Sequence, residues 1–546
     1  MTRAGAQVQQ GGEQPKAPSL ARATSGMAVA TLVSRITGFG WKLLLVAIVG
    51  VNVVQDSFTV ANTLPNIIFE LLLGGVLASV VVPLLVRSQD DPDGGREYVN
   101  RLLTIGITGL AVGTVIAVIA APVFTWLYVD GSTGRASPEL TTAFAYLLLP
   151  EILFYGLFAL LSAILQARQV FGPTAWAPVI NNVVVVLTLL LYLVVPGEIT
   201  VNPVDMSQPK LLVLGIGVTM GIVAQAAVLL PALRRIGFRF SWTWGFDARL
   251  KEFAGLAAWV MGYVAVSQVG MVVTQRVLTA GDEGGVTIYS NAWLLFQLPY
   301  GVIGVALLTA ILPRMSKHAA RGDTQSVIDD LATGSRLSTV MLVPISAVLT
   351  IAGTAIGVAL FAFGESDVEQ GARLGTALAF SAFGLLPYAL VMLQLRVFYA
   401  MKDARTPTLI MIGMTVVKIP LLYMCGAVLS PQNVVIGVML VNSLSYVIGA
   451  VAGQMWLWVR LGHLRNKKIV SVITKTVAAS AVGMAAAWLA GELIAPDGFD
   501  SILIAWVTLI VQGGLALAVA FGGLAVLRVP ELRPATARIT RLVRRG

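Results

Sequence analysis

Residues 33–87 read VSRITGFGWKLLLVAIVGVNVVQDSFTVANTLPNIIFELLLGGVLASVVVPLLVR. Two long apolar runs, each sufficient to cross a bilayer, dominate this stretch. Yet it carries Arg35, Lys42 and Glu70 at depths where charge is costly. On a helix Arg35 and Lys42 lie two turns apart on one face, about 10 Å at 1.5 Å per residue. In the second run Asn62, Asn66, Glu70 and Gly74 recur at every fourth position, a polar stripe on an otherwise apolar helix. Ionisable groups inside a membrane usually face a bundle interior or a wet cavity and mark a substrate or ion path. The alternative is a buried Arg35–Glu70 or Lys42–Glu70 ion pair that only locks two helices together.

The remainder of the chain has the same character. Of 546 residues, 57% are hydrophobic and 12% charged, and the mean hydropathy is +0.84, which fixes an all-α polytopic membrane protein. The one cysteine, Cys425, lies in an apolar run and reads as packing. No phosphate-binding G-x-x-x-x-G-K-[ST] loop occurs, which argues against a primary ATP-driven pump. His318 and His463 fall in loops away from any metal-type cluster, so no metal site or cofactor is expected. A polytopic glycosyltransferase would need catalytic acids and a long outer loop, and the loops here are short.

Windows of about twenty apolar residues predict about fourteen transmembrane helices. Joints after even-numbered spans are basic, among them Arg234, Arg235 and Arg239, then Arg314, Lys317 and Arg321, then Arg460, Arg465, Lys467 and Lys468. Alternate loops hold acids such as Asp130, Asp282, Glu283 and Glu365. The positive-inside rule then places both termini in the cytoplasm, in the cell's inner membrane. The net charge of +10 needs no nucleic acid to explain it. Residues 1–25 read as a disordered tail and 529–546 as a basic tail lying on anionic lipid headgroups. The tails are also candidate docking points for cytoplasmic partners.

A repeat is visible. Val33-Ser34-Arg35 recurs as Val266-Ser267-Gln268, Leu64-Pro65 as Leu298-Pro299, Leu148-Leu149-Pro150 as Leu385-Leu386-Pro387, and Pro173-Thr174 as Pro407-Thr408. The shared offset implies two six-helix lobes, 26–236 and 250–461, in the same orientation about an axis along the membrane normal. Two additional helices follow in 468–528. A cavity between such lobes is the default substrate site of a rocking transporter. Arg35, Lys42 and Arg276 would make it cationic, suited to a phosphate or pyrophosphate headgroup.

Ser34-Arg35-Ile36-Thr37-Gly38-Phe39, Gln55-Asp56-Ser57-Phe58 and Leu64-Pro65-Asn66 resemble the opening signature of the MurJ/MviN lipid II flippases. Gln297-Leu298-Pro299 with Gly301 and Gly304 resembles that family's span 8, and Tyr399 to Pro407 its loop between spans 10 and 11. The resemblance implies the fold of the multidrug/oligosaccharidyl-lipid/polysaccharide exporters, with the last two helices forming a lipid-tail groove. It also implies a transporter rather than an enzyme. Its substrate would be lipid II, undecaprenyl-pyrophosphate bearing the disaccharide-pentapeptide, moved between leaflets for peptidoglycan synthesis. Carried over position by position, Arg35 matches the family's first cavity arginine, Asp56 its acid after span 1, and Arg276 its span 7 arginine. Lys42 stands one place from where many relatives carry a second arginine, and Lys418 stands where relatives often have Asn near a sodium position.

On this reading Arg35, Lys42, Arg276, Asn66, Glu70 and Gln297 bind substrate, while Asp56, Asp403, Arg405 and Lys418 serve gating or coupling. Membrane potential or a Na+/H+ gradient is the expected energy source. Gly74, Gly75, Gly301 and Gly304, with Pro65 and Pro299, are hinge candidates. Gly109/Gly113 and Gly353/Gly357 are assigned to helix packing. Asp403 and Arg405 form either a gate latch or a helix cap. Other readings are a drug/cation antiporter or another polyprenyl-pyrophosphate-oligosaccharide flippase of the same superfamily, and a non-transporting scaffold of cell-wall assembly. The antiporter predicts an acidic, aromatic-lined cavity, which the Arg/Lys bias opposes.

Overall fold

The computed structural model describes residues 20–71, 82–245, 254–401, 403–462, 464, 466–496 and 498–532. Twelve helices within these residues are long and apolar enough to cross a membrane. They match twelve of the expected spans. The other two, spans 2 (Val53–Leu71) and 7 (Ala254–Gly281), are helices that abut residues outside the description.

Span 1 is Leu20–Val49; it begins inside the stretch expected to be tail, where the Ala-rich Leu20-Ala21-Arg22-Ala23 favours helix. Span 3 (Arg96–Ile119, continued by Ala121–Tyr128) and span 4 (Pro138–Leu148, then Glu151–Ala167) are each broken once. Spans 5 and 6 are Gly172–Val194 and Pro209–Ala227, the latter continued by Leu230–Arg235. In the second half, span 8 (Gly285–Pro299) runs through a π-turn at Tyr300–Gly304 into Val305–Ala320. Span 9 is Thr324–Ile351 continued by Gly353–Phe361. Span 10 comprises Val368–Ser381 and Leu385–Ala400. Spans 11 to 14 are Arg405–Val428, Pro431–Leu461, Asn466–Ile494 and Ile502–Val526.

Packing reproduces the repeat. Span 1 packs on 5 as 7 does on 11; 2 on 4 as 8 on 10; 3 on 4 as 9 on 10; and 5 on 6 as 11 on 12. Spans 13 and 14 pack on each other and against span 9 of the second lobe. The break in span 4 falls within Leu148-Leu149-Pro150, and that in span 10 at Ala382–Gly384, immediately before the equivalent Leu385-Leu386-Pro387; each proline lacks the N–H that would bond four residues back, which opens the helix ladder there.

The glycine pairs behave differently from one another. Gly353 and Gly357 face the backbone of Gly375 and Gly371 across the span 9–10 contact, so small residues do bring two helices together there. Gly109 and Gly113 correct the expectation. Both are exposed, and a β-carbon on either would meet nothing within 4 Å. Their four-residue spacing puts them on one face, but that face looks away from the bundle.

Candidate functional site: a closure between the lobes

The loops after odd-numbered spans meet at one end of the bundle, here called the acidic end. There the lobes are joined by hydrogen bonds and one ion pair. Asp56 Oδ1 of span 2 accepts from the Thr287 backbone N–H at 2.8 Å and from the Thr287 hydroxyl at 2.7 Å. Thr287 lies in the first turn of span 8, whose N-cap is Gly284 and lacks a side chain. The cap is thus supplied from the other lobe, satisfying a helix-end donor with a group far away in sequence.

A second set surrounds the loop between spans 3 and 4. Arg276 donates to the Trp126 carbonyl at 2.8 Å and lies 3.5 Å from Asp130. The Asp130 N–H donates to the Thr279 hydroxyl, and Arg135 donates to the Gly281 carbonyl, both at 3.0 Å. The Asp130 carboxyl is held below the usual carboxylate range, first by the Ser132 hydroxyl and N–H and then by Arg276. A third set ties span 1 and Val51, just beyond it, to the loop between spans 9 and 10 and the first turn of span 10. Glu365 N–H donates to the Ala47 carbonyl at 2.9 Å, and Gln370 Nε2 to the Val51 carbonyl at 3.3 Å. Gly364 adopts φ +70°, a conformation that favours glycine, while its α-carbon faces the Ala47 backbone closely.

Burial along span 1 records the asymmetry. Toward the acidic end Leu45, Val46 and Val49 are buried, whereas toward the basic end Leu32, Arg35 and Ile36 are exposed and, among the described residues 27–40, only Ala30 is buried. The opening signature explains how Arg35 is aimed. Asn182 of span 5 donates to the Ser34 carbonyl at 3.0 Å and to the Thr37 hydroxyl at 2.9 Å, and it also faces Gly38. That docks one face of span 1, so Arg35 projects from another, toward span 8. A β-carbon on Gly301 would sit 2.5 Å from Arg35 Nη1; the missing side chain therefore admits the guanidinium to the π-turn. Lys42 is half-buried, with its ammonium 6.0 Å from the Trp41 ring centroid.

The other candidates separate from this pair. Arg276 sits near the acidic end of span 7, so the structure does not gather it with Arg35 but spends it on closure. Asn66 accepts from the Tyr155 hydroxyl at 3.1 Å within the first lobe. Gln297 faces Tyr388 at 3.4 Å, inside an aromatic cluster of Trp293, Phe296, Tyr300, Tyr388 and Tyr446 in the second lobe. The Glu70 side chain, Gly74 and Gly75 lie outside the described residues. Lys418 donates to Asn442 Oδ1 at 3.0 Å and has no acidic partner among the described residues.

At the basic end Asp403 and Arg405 part company. Asp403 accepts from the N–H and hydroxyl of Thr406 at the start of span 11 and pairs with Arg460 of span 12. Burial pushes its carboxyl up, but these donors outweigh it and leave it below the usual range. Arg405 stands 5.9 Å over the Trp259 ring. These contacts, like the Arg314–Asp330 pair, stay within the second lobe, and the Asp403 geometry is that of the helix cap.

Sequence reasoning missed Glu151. It is fully buried at the break in span 4, accepting from Thr219 at 3.3 Å. An acid beside Pro150 within an apolar run was the available signal.

Two six-helix lobes in parallel repeat, closed at one end and exposing cations toward the other, define a polytopic membrane transporter. The sequence pattern of the lipid II flippase MurJ family matches residues 45–509, and the chain belongs to that family. It is 27% identical to the lipid II flippase MurJ of Burkholderia cenocepacia over 417 residues, 73% of this chain and 78% of that one. The probable lipid II flippase MurJ of Haemophilus influenzae is 25% identical over 486 residues, 84% and 90% of the two chains. Among solved structures, a lipid II flippase MurJ in an inward closed conformation superposes with a TM-score of 0.69 at 19% identity, covering 92% of this chain and 99% of that one. An inward-facing multidrug resistance MATE family transporter gives 0.59 at 16% identity, covering 81% and 99%.

Proposed function

We propose that this chain moves lipid II from the inner to the outer leaflet of the cytoplasmic membrane by alternating access. Family membership supports the substrate. The observation that carries the mechanism is the burial gradient along span 1, with the lobes bonded at the acidic end and Arg35 exposed toward the other. The basic loops would face the cytoplasm by the positive-inside rule, which makes this an inward-facing arrangement with both termini inside. Arg35 and Lys42 would then receive the pyrophosphate, Arg35 through bidentate contacts and Lys42 as a point charge.

The prenyl chain would stay in lipid beside spans 13 and 14. Rocking of the lobes breaks the Asp56–Thr287 and Arg276–Asp130 contacts and releases the headgroup outside. The π-turn facing Arg35 is the best-supported hinge, since such turns loosen a helix without removing its hydrogen bonds. Membrane potential or an ion gradient would drive the cycle, with the Lys418 ammonium standing where a bound sodium ion would otherwise sit. Cytoplasmic cell-wall regulators would dock at the tails.

The test is lipid II accessibility on the outer leaflet of cells carrying the wild-type chain or Arg35→Ala at matched expression. Exposure by the wild type and not the variant supports the reading. Equal exposure makes Arg35 structural, and exposure by neither removes the assigned activity.

A further inference from the structure

On the flank of the first lobe, away from Arg35, spans 3, 4 and 6 form a half-open apolar cavity of about 730 Å³. Ile107, Leu157, Leu161 and Val223 wall it, and residues 237–240 close it from the basic end. Those residues begin an extended strap, Gly237-Phe238-Arg239-Phe240-Ser241-Trp242-Thr243-Trp244, with an aromatic at every second position. Two polar side chains one helical turn apart on span 3 pin it: the Ser241 N–H donates to Asn100 Oδ1 at 3.1 Å and the Thr243 N–H to Thr104 Oγ1 at 3.0 Å. Phe238 and Phe240 therefore line the cavity, while Trp242 and Trp244 are 60% and 66% exposed. Arg234 and Arg239 also line it, are exposed, and have no acidic partner among the described residues.

This is a built arrangement and not ordinary lipid-facing surface. Its volume falls in the range of ligand sites, its walls suit an acyl chain, and its only charges are two guanidiniums. Exposed tryptophans mark the headgroup level of a bilayer, and arginines at that level bind phosphate. We propose that the cavity holds a resident anionic phospholipid, one acyl chain inside it and the phosphate between Arg234 and Arg239. Charge complementarity selects an anionic headgroup. The substrate's prenyl chain is not the occupant, because neither span 1 nor span 8 lines this space.

The test uses the full chain in detergent, analysed by native mass spectrometry with added phosphatidylglycerol, phosphatidylcholine, undecaprenyl pyrophosphate or soluble glycerol phosphate. One phosphatidylglycerol should be retained in preference to phosphatidylcholine by about tenfold, and glycerol phosphate should not bind. The exposed double variant Arg234→Ala/Arg239→Ala should lose the preference without loss of thermal stability. Leu157→Trp, which fills the cavity, should lose retention of both lipids. Equal retention of the two phospholipids, preference surviving the double variant, binding of glycerol phosphate alone, or displacement by undecaprenyl pyrophosphate would each overturn the assignment.

Discussion

Replacing Asp56 by alanine should open the acidic end of the molecule. Both bonds from Thr287 end on the same oxygen, Asp56 Oδ1. One of them caps the first turn of span 8 and is worth about 1 kcal/mol by analogy with ordinary N-caps. The hydroxyl bond to a buried carboxyl adds about 1–2 kcal/mol. Both exist only while the lobes are together, so their loss should shift the closed–open equilibrium by about 2–3 kcal/mol, roughly 30- to 150-fold. Asp56→Asn retains an acceptor oxygen in the same place and should shift it less than about fivefold. Nitroxide labels on Thr133→Cys and Glu283→Cys, exposed positions on loops of the two lobes, would report the change. Cys425, buried and the sole native cysteine, is first changed to Ser. A long-distance population should appear in the alanine variant and be nearly absent in the asparagine one. If both variants open equally, or neither does, the trans-cap does not govern closure.

The contact between Arg276 and Asp130 should make closure acid-sensitive. Of the groups that hold the Asp130 carboxyl low, Ser132 lies in its own loop and Arg276 in the other lobe, so only the Arg276 share couples protonation to closure; that share is present at neutral pH and is lost as pH falls through the lowered value, below about 4. The label distance should therefore hold from pH 7 to about 5 and lengthen below 4, with Asp130→Asn showing no such step. Lys418→Asn should confer sodium dependence on lipid II exposure; the idea fails if neither protein responds to sodium. Gly357→Leu should destabilise the protein by several kcal/mol, since its site abuts backbone, whereas Gly113→Leu should change its melting temperature by less than about 2 °C.

The bundle was legible because apolar runs of membrane length announce themselves and because the Leu-Leu-Pro and Pro-Thr repeats set the lobe boundary. The closure was not. Asp56 and Thr287 are 231 residues apart, and nothing local to either signals that one caps the other. Asp130 read as one loop acid among several, and Arg276 as a cavity cation, since its place near the outer end of span 7 is legible but its partners, about 150 residues away in sequence, are not. Gly113 shows the same limit in a helix: spacing places small residues on one face but does not say what the face meets. The π-turn was legible only as a place: Pro299, Gly301 and Gly304 marked a hinge candidate, but nothing in Tyr300-Gly301-Val302-Ile303-Gly304 specifies the additional residue per turn.

Span 8 begins with a turn that is complete only when the lobes touch. The Thr287 amide proton is held by Asp56 in the closed form and has no partner of its own helix to fall back on. Its exchange with solvent deuterium should therefore proceed only through separation of the lobes. Exchange at this one amide becomes a native clock for the transport cycle, readable without any label and in the presence of substrate.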